Sequence, residues 1–245
     1  MTKRKIEYWV IPPDQDAEFV ACMEDVLETY EMAYDPQQPV LCMDEQPVQL
    51  LKETKVPIAA TKRHGERVDY EYERNGTESI FMFAEPLSAF SQATARERRT
   101  KADGAVEVAH LLDTRYADCP KVTLVCDNLN THTRGAFYEA FSPEIARAYV
   151  KRIDFHYTPK HGSWLNVAEC HLRWLTSQCL ADRRIRQPAL LHTELGLGAA
   201  KPNAPPRAAA RHVHHPGPRP PLTGRGSAQF ARLHLCRVRL TGRRP

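Results

Sequence analysis

An apolar run in the middle of the chain ends on an acidic residue. Residues 122–126 (VTLVC) are apolar or β-branched and predict a short strand buried on both faces, and Asp127 follows at once. An ionised carboxylate at the end of a core strand costs free energy unless it is paired, hydrogen-bonded or bound to a metal. Two interpretations of Asp127 therefore stand, a metal ligand and the cap of a following helix.

Two other acids occupy comparable positions. Asp44 follows a second apolar run, and Glu169 lies in a segment whose helical periodicity predicts a helix over 163–180. Side chains alternate along a strand, so Asp44 and Glu45 face opposite ways and Glu45 is expected to point away from any site at Asp44. Three carboxylates, two at strand ends and one on a helix, suit two divalent metals in phosphoryl transfer. The alternative is that they are unrelated caps and surface charges.

The order of predicted elements indicates the fold class. An amphipathic helix before residue 35 precedes a strand within 39–51, and the stretches 67–73 and 78–84 predict two strands joined through Asn75-Gly76, a hairpin signal. A charged, exposed stretch follows at 91–101. Helix, strand 122–126, helices, strand 153–157 and helix complete the order. This predicts an α/β, ribonuclease H-like mixed five-stranded sheet flanked by helices.

Charge and composition divide the chain unevenly. Residues 183–245 hold thirteen Lys and Arg residues but one acid, and they are rich in Pro, Ala, Gly and His. We therefore predict a linker and helix at 1–38, the ribonuclease H-like domain at 39–182, and a disordered basic tail at 183–245. One hypothesis for the tail is a frameshifted reading of a GC-rich gene. The other is a basic arm that binds DNA nonspecifically.

The sequence also predicts a compartment. No apolar run approaches the roughly 20 residues of a membrane span, and the first residues lack the apolar core of a secretory signal. The seven cysteines include no C-x-x-C pair, so reduced thiols are expected rather than disulfides or zinc ligands. We expect a cytoplasmic protein associated with the nucleoid.

Five sequence blocks stand out along the chain. The blocks are DEQPVQLL at 44–51, DYEYERNGT at 69–77, ERRTKAD at 97–103, CDNLNTH at 126–132 and FHYTPKHGSWLNVAE at 155–169. Together they resemble the mariner-related bacterial insertion-sequence transposases of the DDE superfamily. The resemblance covers roughly residues 5–185, and the last two blocks are long and specific.

The resemblance implies roles for individual residues. Asp44, Asp127 and Glu169 match the DDE acids, which would make them the catalytic residues and the ligands of two Mg²⁺ ions, with Mn²⁺ as a substitute. The remaining candidates are expected to bind DNA or support the metal site. They are Asn128, His132 and Asn166 as motif companions, and Lys160, His161 and Trp164 in a basic loop that could contact DNA backbone and an unpaired base. Capping the next helix is the alternative for His132, and core packing is the alternative for Trp164.

The resemblance further implies a reaction and partners. The family cleaves phosphodiesters at transposon ends and transfers the resulting 3′-hydroxyl to target DNA, which implies double-stranded DNA as partner and a homodimer in the DNA complex. Members carry an N-terminal helix-turn-helix region, of which only the trailing edge is recognisable before residue 38. The alternative function is a non-catalytic remnant that binds DNA or full-length transposase and interferes with it.

Overall fold

The computed structural model describes residues 17–88, 90–128, 131–181 and 183–200. The strands form a single mixed sheet in the order β3-β2-β1-β4-β5, which confirms the predicted five-stranded α/β class. The strands are β1 (Val40–Glu53), β2 (Tyr72–Ala84), β3 (Ser91–Arg96), β4 (Val122–Cys126) and β5 (Ile153–Tyr157). The helices are α1 (Ala17–Glu31), α2 (Lys101–Asp113), α3 (Arg134–Ala140), α4 (Pro143–Arg152), α5 (Val167–Leu175) and α6 (Pro188–Ala200). Within the described ranges, no helix is both long and apolar enough to cross a membrane.

β1 organises the sheet because it pairs on both sides. It runs antiparallel to β2 and parallel to β4, and the parallel ladder ends with Cys42 opposite Val125. Asp44 and Asp127 each lie two residues beyond that pair. They therefore reach the same edge of the sheet, on the same face, on neighbouring strands that are about 4.8 Å apart.

Helices cover both faces of the sheet, as the alternation along β1 requires. The side chains of Val40 and Cys42 belong to a core with residues of α1, α5 and α6, whereas those of Leu41 and Met43 belong to a core with residues of α2, α3 and α4. By the same alternation, the Asp44 side chain lies on the face covered by α1, α5 and α6, and the Glu45 side chain lies on the face covered by α2, α3 and α4.

The predicted hairpin turn at Asn75-Gly76 is wrong. Residues 72–84 form one continuous strand, and the register of β2 against β1 shifts between Gln49 and Leu51. Two residues of β2, Asn75 and Gly76, oppose one residue of β1 there, which is a bulge. Gly76 has a φ of 91°, a conformation that glycine adopts without steric cost. The connection between β1 and β2 instead lies earlier in the chain, in residues 54–71.

The third strand comes from a stretch that was expected to be exposed. β3 pairs antiparallel with β2, and Ala95 is buried in the core. Arg96 makes an ion pair with the buried Glu107 of α2, which compensates the charge that made the stretch resemble a surface loop. The capping box predicted at the start of α2 is present, between Thr100 and Asp103.

The prediction that a disordered tail begins at residue 183 is also wrong, because the chain continues into helix α6 (Pro188–Ala200), which packs against β3. The backbone N–H of Leu51 donates to the Ile185 carbonyl at 2.8 Å, and Ile185 is 3% exposed. In α6, Leu191 and Leu195 are buried in the core. These apolar residues, spaced four apart on one helix face, supply the burial that composition alone did not reveal. Residues 201–245 lie outside the described part of the chain.

Candidate metal and DNA site

Asp44 lies in the middle of the long strand β1, where its carboxylate is partly buried. Its Oδ1 accepts a 2.8 Å hydrogen bond from the backbone N–H of Glu45. Burial raises the pKa of Asp44; the hydrogen bond from Glu45 lowers it, and the negative charges of Asp127, Glu45 and Glu169 raise it further, to about 7. The three predicted acids therefore lie near enough to repel one another.

Asp127 is the first residue after β4, and its side chain is 21% exposed. Its Oδ1 lies 3.0 Å from Nε2 of His132, but neither buried atom makes a well-directed hydrogen bond. The contact is thus an ion pair without an aligned N–H. Asp127 does not cap α3, because that helix begins at Arg134 after Thr133. The helix-cap interpretation of Asp127 is therefore wrong.

Glu169 lies in the first turn of α5 and faces the same site from above the sheet. Its Oε1 accepts a 3.0 Å hydrogen bond from Nη2 of Arg173, one helical turn away. Its Oε2 is buried and has no hydrogen-bond partner. A buried carboxylate oxygen without a partner is costly, and a bound cation would remove that cost.

Asn166 positions the helix that carries Glu169. The predicted start of this helix at Ser163 is wrong, because Ser163–Leu165 form a 3₁₀ turn and α5 begins at Val167. Asn166 is the N-cap, its Oδ1 accepting from the backbone N–H of Ala168 at 3.1 Å. Its Nδ2 donates to the carbonyl of Met43 at 2.7 Å. At 1% exposed, Asn166 supports the site from within and is closed to DNA.

His132 is buried between two carboxylates. Its Nε2 lies 3.0 Å from Asp127 Oδ1 and 3.2 Å from Glu45 Oε2. Burial lowers the pKa of His132, but the two acids outweigh that effect and raise it to about 9, so the imidazole is positively charged at neutral pH. It caps no helix; Thr133 occupies the cap position of α3. The sequence correctly predicted that Glu45 faces the opposite side of β1 from Asp44, but it did not indicate that Glu45 contacts His132 at the site.

The remaining predicted residues divide into exposed and packed groups. Asn128, Lys160 and His161 are exposed beyond the ends of β4 and β5, on the side of Asp127. His161 has a φ of 66°, in the left-handed region that side chains other than glycine seldom adopt. Trp164 packs against the core shared by α1 and α5, and its Nε1 is buried without a partner. The core-packing interpretation of Trp164 is confirmed.

The three acids match a hard divalent cation in chemistry. All three offer carboxylate oxygens, the ligands that Mg²⁺ and Mn²⁺ prefer, and the buried Oε2 of Glu169 has no hydrogen-bond partner. Among the described residues, however, no three His, Cys, Asp or Glu side chains are gathered closely enough to hold an ion. Binding a metal would require the three carboxylates to rotate toward one another.

A mixed five-stranded sheet flanked by helices, with one acid within β1, one just after the neighbouring β4 and one on a facing helix, has the ribonuclease H-like arrangement. The model of the DDE superfamily endonucleases matches residues 39–191, so the chain belongs to that family. No curated protein sequence matches the chain.

The fold is also that of solved mariner transposase structures. The Mos1 mariner paired-end complex with Mn has a TM-score of 0.52 at 13% identity, covering 82% of this chain and 60% of that one. The Mos1 strand transfer complex has a TM-score of 0.52 at 12% identity, covering 81% and 59%. The Mos1 paired-end complex with Mg has a TM-score of 0.51 at 12% identity, covering 82% and 60%. The chain thus spans about 60% of the length of these Mos1 chains.

Proposed function

We propose that this chain is the catalytic domain of an insertion-sequence transposase of the mariner-related bacterial group. It cleaves DNA strands at transposon ends and joins the resulting 3′-hydroxyl to target DNA in the cytoplasm. The observation that carries the proposal is the convergence of Asp44, Asp127 and Glu169 from β1, the end of β4 and α5, such that two of these acids raise the pKa of the third. The family match and the Mos1 fold support it.

The three acids would hold two Mg²⁺ ions, for which Mn²⁺ could substitute. When bound, such a pair supplies a polarised water or hydroxyl nucleophile and stabilises the leaving oxygen of a phosphodiester. The Mos1 structures described with Mn and with Mg support divalent-metal use in this fold. Asp44 and Asp127 are fixed by adjacent strands, and Glu169 is fixed by a capped helix, so each carboxylate has a rigid support.

Double-stranded DNA is the proposed partner, bound by a homodimer. Lys160 and His161 are exposed on the same side as Asp127, where they can contact phosphates while the acids reach the scissile bond. Asn128 is exposed beside Asp127 and can contact the DNA backbone. The Mos1 paired-end complex and the Mos1 strand transfer complex, which share this fold, support this partner.

A second candidate function follows from the separation of the carboxylates. Among the described residues they do not form a ready metal cluster. A chain in which they cannot be gathered would be a non-catalytic remnant that binds DNA or full-length transposase and interferes with it. Both functions require DNA binding or partner binding. Only the first requires metal-dependent cleavage.

The test is nicking of supercoiled plasmid by the full chain with Mg²⁺ or Mn²⁺. Asp127→Asn is the variant expected to be inactive. Asp118→Asn is the matched control, because Asp118 is an exposed acid before the start of β4, whereas Asp127 follows its end. We expect nicks with 3′-hydroxyl ends from the parent and from Asp118→Asn, and none from Asp127→Asn. Equal nicking by the parent and Asp127→Asn would defeat the proposal. DNA binding without any nicking would favour the remnant.

A further inference from the structure

Glu45 is a buried acid directly beside the proposed metal ligands, and no metal role has been assigned to it. Its side chain is 3% exposed, on the face of β1 opposite Asp44. α2 approaches it closely, since a Cβ added at Gly104 would lie 3.8 Å from Glu45 Oε1. A carboxylate buried this deeply needs a charged or hydrogen-bonding partner. The partner that the structure provides is His132, 3.2 Å away.

His132 connects Glu45 to Asp127 around the end of the sheet. The same nitrogen, Nε2, lies 3.2 Å from Glu45 Oε2 and 3.0 Å from Asp127 Oδ1, and the His132 side chain is 4% exposed. An Nε2 atom carries a single proton, so it can direct that proton at one carboxylate at a time. Asp127 Oδ1 has no well-directed hydrogen bond in the structure. His132 Nε2 therefore lies in ion-pair contact with both carboxylates and makes no well-directed hydrogen bond to either.

Glu45 also contacts the other aspartate, through its backbone. Its N–H donates to Asp44 Oδ1 at 2.8 Å. One residue of β1 is therefore linked to both proposed metal ligands from the strands, directly to Asp44 and through His132 to Asp127. This arrangement depends on the alternation of side chains along β1, which sends the two adjacent acids to opposite faces.

We propose that Glu45 and His132 are positioning residues that together hold the Asp127 carboxylate in the orientation that binds a divalent cation. Glu45 holds the imidazole by an ion pair, and the imidazole holds Asp127 through Oδ1, which leaves the other carboxylate oxygen, Oδ2, for the cation. The inference rests on the proposed function, in which Asp127 is a metal ligand. Neither residue touches DNA or the reacting atoms; both are buried behind the acids.

A purely structural role does not account for this arrangement. A buried ion pair contributes little net stability, because the cost of removing two charges from water offsets their attraction. A fold selected for stability alone would be served as well by apolar side chains at 45 and 132. A buried support for a ligand is expected to affect metal affinity, typically by about 10- to 100-fold when it is removed.

The test is Mn²⁺ affinity of the full chain, followed by electron paramagnetic resonance of free Mn²⁺. The variants are Glu45→Gln, His132→Gln, the double variant and Asp127→Asn. Glu107→Gln is the matched control because Glu107 is equally buried but pairs with Arg96, away from the acids. We expect each single variant to weaken Mn²⁺ binding at least about 10-fold. The double variant should bind Mn²⁺ no more weakly than the weaker-binding of the two single variants. Glu107→Gln should bind Mn²⁺ as tightly as the parent.

The possible results separate the inference from the proposed function. The inference is overturned if Glu45→Gln binds Mn²⁺ with an affinity within twofold of the parent, or if the losses of the two single variants multiply in the double variant. The proposed function survives either result as long as Asp127→Asn abolishes Mn²⁺ binding. Equal binding by the parent and Asp127→Asn overturns the proposed function and the inference with it. If His132→Gln does not fold, the ¹⁵N signals of the His132 ring in the parent decide. They must shift on adding Mg²⁺, and unchanged signals overturn the inference.

Discussion

The side-chain amide of Asn166 donates a 2.7 Å hydrogen bond to the backbone carbonyl of Met43, the residue before Asp44. This bond joins the first turn of α5 to β1 and so sets the position of Glu169 relative to Asp44. The same side chain caps α5 through the N–H of Ala168. Glu169 would otherwise depend on the packing of α5 alone for its distance from the strand.

Replacement of Asn166 is expected to reduce stability. Asn166→Ala leaves a buried carbonyl at Met43 and an uncapped helix, which together cost about 2–4 kcal/mol. Asn166→Ser keeps a capping oxygen but is too short to reach Met43, so its loss should be about half as large. Urea unfolding measures both. An Asn166→Ala variant as stable as the parent would contradict the role assigned to this side chain.

The metal-free protein is expected to lose stability as pH rises because of Asp44. The pKa of Asp44 is about 7 in the folded protein, against an ordinary value of 3.8, so the folded state holds more protons between these two pH values. The associated stability is present below pH 4 and is lost as pH rises toward 7. Asp44→Asn should therefore be more stable than the parent at pH 8, by about 2 kcal/mol after allowance for solvent screening. The difference should vanish near pH 4.

Thermal or urea unfolding in the presence of a chelator tests this pH dependence. Asp118→Asn, which removes an exposed acid elsewhere, should show no such trend. A constant difference between Asp44→Asn and the parent from pH 4 to pH 8 would contradict the burial of the Asp44 carboxylate among other acids.

Truncation of α6 side chains is expected to show that this helix belongs to the domain. Leu191 is 0% exposed and Leu195 is 1% exposed, so each change to Ala should cost about 2–5 kcal/mol. Leu190, in the same helix but 37% exposed, is the matched control, and Leu190→Ala should cost less than about 1 kcal/mol. Denaturant unfolding distinguishes them. Equal, small losses at all three positions would restore the expectation of a disordered tail from residue 183.

Lys160 is expected to contribute to DNA affinity irrespective of sequence. Lys160→Ala should weaken binding of unrelated duplexes by similar factors and reduce the salt slope by about 1. Lys151 is the matched control because it is exposed in the last turn of α4, before the start of β5, whereas Lys160 follows the end of β5. Fluorescence anisotropy across a range of salt concentrations measures both variants. Equal losses from Lys160→Ala and Lys151→Ala would argue against a DNA surface on the Asp127 side.

The acids Asp44 and Asp127 were the most predictable part of the site, although Asp44 does not end its strand as predicted, because β1 continues to Glu53. Apolar runs that stop on Asp44 and Asp127 predicted both strands, and parallel pairing then brings the two residues to one edge. The bulge at Asn75-Gly76 was not predictable, because the same dipeptide forms a turn or a bulge according to which strand faces it. The contact of His132 with Glu45 was not predictable either. His132 lies in a loop distant in sequence from β1, and hydrophobic periodicity does not indicate where a loop side chain lies.

The C-terminal segment shows a different limit of sequence reasoning. Its Pro, Arg and Ala content predicts disorder, yet Leu191 and Leu195, four residues apart, bury α6 in the core, where the helix packs against β3 and the segment 176–180. Pro188 is compatible with this helix because it occupies the first position, where no N–H is needed. Local composition could not indicate that the core had room for one more helix.

The most direct measurement of the central claim is anomalous X-ray diffraction from crystals of the chain grown with Mn²⁺. The account predicts anomalous peaks between Asp44, Asp127 and Glu169, at about 2.0–2.2 Å from their carboxylate oxygens, with the three side chains rotated toward the ions. Carboxylates that remain apart, with no peak among them at saturating Mn²⁺, would contradict it.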